Sequence, residues 1–174
     1  MDRMEKEIFK IEILGRDGAS RALAFYDTAG FAYRDSDRAV LAEAMESGQW
    51  TMLMATQGGV DIGGCYLNRE PKYGLYRRLR LPELQDLRVL PEYRRRGVGE
   101  GLIQAAENLA QTEGFKGLGL SVGLNATFGA AQRLYIRMGY MPDGQGVTYN
   151  REVVAPAEKC TIDDDLALML LKHF

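Results

Sequence analysis

The sequence predicts an α/β fold in which a mixed sheet of about seven strands is flanked by about four helices. Strand-like segments alternate with helix-like segments in the order β-α-α-β-β-β-α-β-α-β-β, with no internal repeat. The chain of 174 residues, with 46% hydrophobic and 26% charged residues, suits one soluble globular domain spanning residues 1–174.

The first third of the chain is predicted to contain a strand, two helices and a hairpin. The segment "KEIFKIEILG" alternates apolar and polar residues and predicts a strand over residues 6–14. "GASRALAFYDTAG" and "DSDRAVLAEAMESG" predict two short helices, each of which ends at a glycine. "QWTMLMAT" and "VDIGGCYLNR" predict two strands joined at Gln57-Gly58-Gly59. Trp50, Met52 and Met54 are expected in the core.

The rest of the chain alternates more regularly. "PKYGLYRRLRLP" is predicted to be a loop, and "ELQDLRVL" a strand that stops at Pro91. Residues 99–113 carry a helical stripe of apolar side chains that ends at Gly114. "KGLGLSVGL" predicts a strand and "ATFGAAQRLYIRMG" a helix that ends at Gly139. "GVTYNREVV" and "LALMLLKH" predict two closing strands.

Composition argues against several classes of protein. A net charge of −2 gives no global attraction to nucleic acid, and no apolar run approaches the roughly 20 residues that span a membrane. The N-terminal "MDRMEKEIFK" is too charged for a secretory signal, which predicts a cytoplasmic location. Cys65 and Cys160 have no metal-ligand spacing, so we expect two reduced thiols and no metal.

The stretch "RRRGVG", residues 94–99, joins a predicted strand to a predicted helix. Amides at a helix N-terminus have no partners within the helix, and the helix dipole makes that end positive. Glycines let a phosphate approach the backbone, and the arginines add forked donors. The joint therefore suits a pyrophosphate. It lacks the Gly-Lys-Ser/Thr of a P-loop, and Leu102 takes the place of the third glycine of a dinucleotide fingerprint.

The spacing Arg94-x-x-Gly97-x-Gly99 within "DLRVLPEYRRRGVGEGLI", followed by "AAQRLYIRMGY", resembles the two conserved segments of the GCN5-related N-acetyltransferase (GNAT) superfamily. The order of predicted elements agrees with that family over the whole chain. The resemblance implies a single-domain GNAT-like fold, acetyl-CoA as co-substrate and a primary amine as acceptor.

The resemblance also implies which residues bind acetyl-CoA. The pyrophosphate is expected on the loop formed by Arg94, Arg95, Arg96, Gly97, Val98 and Gly99. The pantetheine arm is expected beside Leu87, Arg88 and Val89. The family often has an asparagine seven residues before the helix tyrosine. This chain has Phe128 there, so whether Asn125 makes that contact is open.

Three residues are candidates for the chemistry. Tyr135 stands at the family's tyrosine position and is expected to protonate the departing thiolate. Glu83 lies 97 − 83 = 14 residues before the first loop glycine, the spacing of the base in the histone acetyltransferase branch. Asp86 is a second carboxylate in the same strand, and a water chain is the third alternative for the base.

The two carboxylates lie on opposite faces of an extended strand, so Glu83 is expected to share a face with Gln85, and Asp86 with Arg88. The non-catalytic expectations are a solvated Glu83 and an Asp86 salt bridge with Arg88 or a neighbouring strand. Ser121 occupies the position at which another branch has its base, which disfavours that mechanism.

The acceptor is left open, with a preference for a small-molecule amine over a protein N-terminus or lysine. The alternative class is a non-catalytic acyl-CoA-binding sensor or interaction module. The segment 71–82, with its basic residues and Tyr73 and Tyr76, is interpreted as a wall of the acceptor site rather than a nucleic-acid surface. His173 and the run Asp163-Asp164-Asp165 are expected to be structural or solvated. A homodimer is an open alternative.

Overall fold

The computed structural model describes residues 9–31 and 33–174, and within them it confirms a mixed α/β fold. The described residues form eight strands and five α-helices, against about seven and about four expected from the sequence. The strands are β1 Lys10–Leu14, β2 Trp50–Gln57, β3 Val60–Asn68, β4 Glu83–Val89, β5 Gly117–Gly123, β6 Met141–Tyr149, β7 Glu152–Val153 and β8 Leu166–His173. The helices are α1 Ala19–Thr28, α2 Asp35–Ser47, α3 Gly74–Leu79, α4 Val98–Thr112 and α5 Gly129–Arg137.

The chain divides into two compact units. The first, here called the N-terminal unit, comprises the residues up to Leu67 together with Asp86–Ala106. The second, the C-terminal unit, comprises Asn68–Gln85 and Glu107–Phe174. The division falls within β4, so Glu83 belongs to the C-terminal unit and Asp86 to the N-terminal unit. The expectation of one functional domain over residues 1–174 stays a prediction.

In the N-terminal unit the strands follow the order β1-β2-β3-β4. β1 and β2 are antiparallel, with Lys10 opposite Thr56. The two-residue turn at Gly58 and Gly59, both with positive φ, joins β2 to β3 as the sequence predicts. The core is built from α1, α2 and the first strands, and it includes Ala22, Phe25, Tyr26, Leu41, Met45, Met52, Met54, Tyr66 and Leu90. The expected core position of Met52 and Met54 is therefore confirmed, and Trp50 packs against the same cluster.

In the C-terminal unit the strands follow the order β4-β5-β8-β6-β7. β4 and β5 are parallel, with Glu83 opposite Gly119, and every other pairing in this unit is antiparallel. Its aromatic core cluster contains Tyr73, Tyr76, Leu81 and Met169.

Two predicted elements need correction, and one lies partly outside the described residues. The segment 71–82 is not only a loop, because it contains helix α3, whose six residues are too few for a helical stripe to be read. The predicted strand "GVTYNREVV" is broken at Asn150 and Arg151, which both have positive φ and turn the chain from β6 into β7. β1 begins at Lys10, and residues 6–8 of the predicted strand are outside the described range.

Candidate functional site

The loop between β4 and α4 lies in the N-terminal unit and has the conformation of an anion site. A short 3₁₀ turn, Pro91–Tyr93, follows β4. Arg95 has φ 61° and Gly97 has φ 87°, so the chain makes a left-handed turn immediately before α4 begins at Val98. A Cβ built on Gly97 would meet no heavy atom within 4 Å. The glycine is therefore required here by its backbone conformation and not by crowding.

The charges of this loop face solvent, while its end is anchored. Arg94, Arg95 and Arg96 are exposed, whereas the Val98 side chain is buried. The Arg94 Nε donates to the backbone oxygen of Val89 at 3.0 Å, and the Arg96 guanidinium lies 5.5 Å from the centre of the Tyr93 ring. The first amides of the 15-residue α4 have no carbonyl partners within the helix. These donors, together with the helix dipole and three cations, fit a pyrophosphate.

The β4 residues expected beside pantetheine are Leu87, Arg88 and Val89, and all three are partly exposed. The Arg88 guanidinium carbon lies 4.9 Å from the centre of the Phe31 ring, a cation–π contact that restricts the arginine. Gly63 on β3 approaches this strand closely, because a Cβ there would lie 3.1 Å from the Arg88 backbone oxygen.

Asp86 is held by two tyrosines of the N-terminal unit. The Tyr33 hydroxyl donates to Asp86 Oδ2 at 2.7 Å, and the Tyr26 hydroxyl donates to the Asp86 backbone oxygen at 2.8 Å. Asp86 has φ 53°, which interrupts the regular course of β4, a feature that no local sequence pattern indicates. Asp86 and Arg88 both point to the Phe31–Tyr33 ring pair, as their predicted shared face requires. The described contact of the Asp86 carboxylate is the Tyr33 hydroxyl, and a salt bridge with Arg88 or a neighbouring strand stays a prediction.

The tyrosines around Asp86 form a cluster of ring contacts, stacked between Tyr26 and Tyr66 and edge-to-face between Tyr26 and Tyr33. Tyr26 lies 5.3 Å from Tyr66 and 5.5 Å from Tyr33, measured between ring centres. Burial raises the pKa of each of these three hydroxyls well above its usual range, and the negative charge of Asp86 raises it further. The hydroxyls therefore stay protonated, and those of Tyr26 and Tyr33 serve as donors to Asp86.

Glu83 belongs to the C-terminal unit and is completely buried, with 0% of its side chain exposed. The Arg151 Nη2 donates to Glu83 Oε1 at 2.9 Å, and the Arg151 Nε donates to the same oxygen at 3.2 Å. Gln85 Nε2 donates to Glu83 Oε2 at 3.0 Å, so these two β4 side chains share a face as predicted. The alternative expectation of a solvated carboxylate at the strand start is wrong, because Arg151 neutralises the charge and allows burial.

The tyrosines of segment 71–82 are buried in the core, and the interpretation of the segment as a wall of the acceptor site stays a prediction. The Tyr76 hydroxyl is buried and lies 3.0 Å from the Leu120 backbone oxygen and 2.6 Å from that of Leu170. The Tyr73 hydroxyl donates to Asp143 Oδ2 at 2.5 Å. Both rings belong to the core cluster of the C-terminal unit.

Tyr135 is on α5, in the C-terminal unit, with 6% of its surface exposed. Its ring centre lies 6.3 Å from that of Tyr140 in an edge-to-face arrangement. On the same helix, Gln132 Nε2 donates to the Gly123 backbone oxygen at 2.8 Å and ties α5 to the end of β5. The helix therefore presents a tyrosine with a restricted ring orientation.

Asn125 and Phe128, the two alternatives for the family's asparagine, both support the turn before α5. Asn125 Oδ1 accepts from the Thr127 amide at 3.0 Å, and its Nδ2 donates to Asp164 Oδ1 at 3.3 Å. The Phe128 ring packs against Gly123, since a Cβ on that glycine would lie 2.4 Å from the ring. The Asn125 side chain is therefore used by contacts within the protein, and the Phe128 side chain has no polar group. Ser121, in β5, is partly exposed.

Asp163 and His173 take the structural or solvated positions expected of them. Asp163 accepts from the Tyr149 hydroxyl at 2.8 Å and from the Asp165 amide at 3.0 Å. His173 pairs with Gly117 at the end of β8 and is exposed. Cys65 and Cys160 are free thiols. Within residues 9–31 and 33–174 no helix is long and apolar enough to cross a membrane, and no cluster of three or more metal-ligating side chains is present.

Sequence reasoning missed Tyr26, Tyr33 and Arg151, which form hydrogen bonds with Asp86 and Glu83. Tyr26 and Tyr33 lie in and after a predicted helix, 60 and 53 positions from Asp86. The only local signal for Arg151 was the dipeptide Asn150-Arg151 inside a run of β-forming residues, where asparagine favours a turn.

Comparison with solved structures finds the same fold at low sequence identity. A Drosophila melanogaster polyamine N-acetyltransferase is 13% identical, with a TM-score of 0.71 over 96% of this chain and 100% of that chain. The ribosomal-protein-S18-alanine N-acetyltransferase of Escherichia coli is 17% identical, with a TM-score of 0.66 over 94% and 92%. The Salmonella typhimurium protein yncA, solved with its cofactor acetyl-CoA, is 16% identical, with a TM-score of 0.65 over 95% and 94%. At these identities the likeness concerns the fold.

Among curated protein sequences, none matches the chain significantly. The family comparison is decisive, because the profile of the acetyltransferase (GNAT) domain matches residues 48–142, more than half of the 174 residues. The matched range includes the β4–α4 loop, both β4 carboxylates and Tyr135. The chain therefore belongs to the acetyltransferase (GNAT) domain family.

Proposed function

We propose that this protein is an acetyl-CoA-dependent N-acetyltransferase that acts on a primary amine by direct transfer, with both substrates bound together and no acyl-enzyme. The observation that carries the proposal is the left-handed turn at Arg95 and Gly97, which leads into the N-terminus of α4 and is flanked by three exposed arginines. This is the arrangement that binds a pyrophosphate, and it lies within the range matched by the family.

Acetyl-CoA supplies an activated acetyl group, a thioester, to the reaction. The residues that would hold it are the loop Arg94–Gly99 for the pyrophosphate and Leu87, Arg88 and Val89 for the pantetheine arm. The fit rests on the open surroundings of Gly97 and on the N-terminus of α4, whose first amides lack carbonyl partners within the helix. Asn125 and Phe128 are weaker candidates for binding acetyl-CoA, because both side chains make local contacts in the turn before α5.

The acceptor must lose a proton before it can attack, because an alkyl amine has a pKa of about 10.4. Glu83 and Asp86 are the carboxylates proposed to take this proton, directly or through water. Glu83 can act as the base only if Arg151 moves, because the Arg151 guanidinium is hydrogen-bonded to the Glu83 carboxylate. Asp86 already accepts from Tyr33, so in its case a water molecule is the proposed carrier of the proton.

Tyr135 is proposed as the acid. When the amine nitrogen bonds to the carbonyl carbon, the carbon–sulfur bond breaks, and the sulfur takes up a proton from the Tyr135 hydroxyl. The ammonium form of the acceptor gives one proton to the carboxylate or its water before it attacks, and this proton then passes to solvent. A second N–H proton leaves the nitrogen after the attack and returns to the Tyr135 oxygen, directly or through water, so the products are an amide and a free thiol. The near-complete burial of the tyrosine and its packing against Tyr140 favour one ring orientation, as a proton donor requires.

A small-molecule amine is the proposed acceptor. Relatives of the same fold are named for different acceptors, a polyamine in one case and the alanine of a ribosomal protein in another. The acceptor of this chain therefore depends on the residues of its own site rather than on the fold. The cytoplasmic location and a homodimer stay predictions.

The test is thiol release from acetyl-CoA against a panel of small amines and of peptides with free N-termini or lysines. Tyr135→Phe is compared with Tyr149→Phe, a control that also removes one hydroxyl in the C-terminal unit but at a bond to Asp163. We expect one amine class to react and Tyr135→Phe to lower kcat by about 10²–10⁴-fold, the range of general acid catalysis, with little change for the control.

Two outcomes would overturn parts of the proposal. If acetyl-CoA raises the melting temperature but no amine releases thiol, the protein is an acyl-CoA-binding module. If acetyl-CoA neither binds nor reacts, the assignment of the Arg94–Gly99 loop is wrong.

A further inference from the structure

The Glu83 carboxylate is a buried anion with a removable counter-cation. An ionised carboxylate without exposed surface is stable only if a cation and further donors compensate for the lost water. The Arg151 guanidinium does this with Nη2 and Nε, which lie 2.9 Å and 3.2 Å from Glu83 Oε1. The amide of Gln85 contacts the other oxygen at 3.0 Å. Together these groups form a site shaped for a guanidinium or an ammonium.

Arg151 reaches this site from a short turn that leads into an exposed strand. It is the second residue of the two-residue connection between β6 and β7, and its φ of 67° is unfavourable for a residue other than glycine. β7 contains only Glu152 and Val153, which are both exposed. Short, exposed elements with few buried contacts open at low free energy. The Arg151 side chain can therefore leave Glu83 by a local movement of the hairpin.

The exposures of the two partners differ in a way that matters. The Arg151 side chain is 31% exposed, whereas that of Glu83 is 0% exposed. A cation from solution would thus meet the arginine first, and when the arginine leaves, the buried Glu83 carboxylate loses a cation that compensates its charge. Loss of that cation is unfavourable, so the open state would be filled by another cation of similar size in preference to an anion or a neutral group.

We propose that Arg151 is a built-in occupant of the acceptor site and that the acceptor is an organic cation, a primary ammonium on an alkyl chain, which replaces the guanidinium of Arg151 on Glu83. This rests on the proposed function and names its substrate class. With the ammonium on Glu83, one N–H bond breaks, its proton forms an O–H bond with the carboxylate, and the electron pair stays on nitrogen as the nucleophile. Release of the product allows Arg151 to return.

The test uses Arg151→Ala and measures binding without acetyl-CoA. The probes are n-butylguanidine and n-butylamine, with n-butanol as the neutral control. We expect Arg151→Ala to melt at a lower temperature than the wild type and to be stabilised saturably by both cations, by about 4 °C or more at a concentration well above Kd, but not by n-butanol. The wild type should respond more weakly, because its own arginine competes.

Control variants separate this site from general effects of cations. In Glu83→Gln/Arg151→Ala the carboxylate is absent, and the response to both cations should disappear. Arg151→Lys keeps a competing cation and should respond less than Arg151→Ala. If Arg151→Ala is unfolded by circular dichroism, Arg151→Gln is used in its place. The proposal is overturned if neither cation stabilises the Arg151 variant. It is also overturned if the cations stabilise the variant without the Glu83 carboxylate to the same extent.

A kinetic measurement separates this inference from the proposed function. In the thiol-release assay, Arg151→Ala should lower the KM for n-butylamine about tenfold while leaving the KM for acetyl-CoA unchanged. Failure of every amine to release thiol contradicts the transferase, but it leaves the thermal shift as an independent result. Normal thiol release with no preference for cationic amines, and no thermal shift in the variant, contradicts the role of Arg151.

Discussion

The Tyr33 hydroxyl donates a hydrogen bond to Asp86 Oδ2 at 2.7 Å, although the two residues are 53 positions apart. Tyr33 lies between α1 and α2, and Asp86 lies in β4 at a position with φ 53°. The bond therefore connects the segment between the first two helices to the irregular point of the strand. Tyr26, which donates to the backbone oxygen of Asp86, provides a second connection.

Tyr33→Phe should destabilise the protein through this bond. A partly buried hydrogen bond to a carboxylate contributes about 1.5–3 kcal/mol, so we expect a decrease of that size in the free energy of unfolding, measured by urea denaturation. Tyr149→Phe removes a hydroxyl from Asp163 near the surface and should have a smaller effect. Equal effects of the two substitutions would show that the bond to Asp86 is not specially stabilising.

The stability of the protein should fall steeply above pH 10. Burial and Asp86 raise the pKa of Tyr26 well above its ordinary value of about 10. Below pH 10 both the folded and unfolded states keep the proton. Above pH 10 only the unfolded state loses it, so stability decreases with pH, by up to about 1.4 kcal/mol per pH unit for this residue.

The check is to measure the free energy of unfolding of the wild type and Tyr26→Phe at several values between pH 8 and pH 11. The difference between the two proteins should be constant from pH 8 to about pH 9.5 and should shrink above pH 10. A difference that stays constant over the whole range would mean that Tyr26 ionises equally in both states.

Gly97→Ala should weaken acetyl-CoA binding. Gly114→Ala is its matched control, because both glycines have φ 87° and neither has a heavy atom within 4 Å of the added Cβ. Each substitution should cost about 1 kcal/mol of stability through backbone strain. Only Gly97 precedes the helix N-terminus proposed to hold the pyrophosphate, so only its substitution should raise the Kd for acetyl-CoA, by about tenfold. Similar Kd values for the two variants would remove the loop from the binding site.

Gly119→Ala should destabilise the C-terminal unit by overpacking. Its Cβ would lie 2.4 Å from the Tyr76 ring, which is buried and held by hydrogen bonds to two backbone oxygens. We expect a loss of about 1–3 kcal/mol in thermal or urea unfolding. In Gly129→Ala the Cβ has its nearest contact at 3.6 Å, at the start of α5, and the change should be neutral or stabilising. A loss as large in Gly129→Ala would rule out overpacking as the cause.

The sequence alone determined the elements whose signals are local. The helical stripe and Gly114 predicted α4 to within a residue at each end, and the run "LALMLLKH" coincides with β8. The β4–α4 loop could be read from its arginines and glycines, because a left-handed turn before a helix depends on residues adjacent in the chain. This loop and the later segment "AAQRLYIRMGY" carried the resemblance to the family to which the chain belongs.

Only the tertiary structure decided the surroundings of the two carboxylates. Glu83 is paired with Arg151, 68 positions away, and Asp86 is held by Tyr33, 53 positions away. The turn that carries Arg151 and the positive φ of Asp86 interrupt strands that the residue pattern shows as continuous. Burial and ion pairing depend on which strands and helices the fold brings together, and no pattern of neighbouring residues encodes those distant contacts.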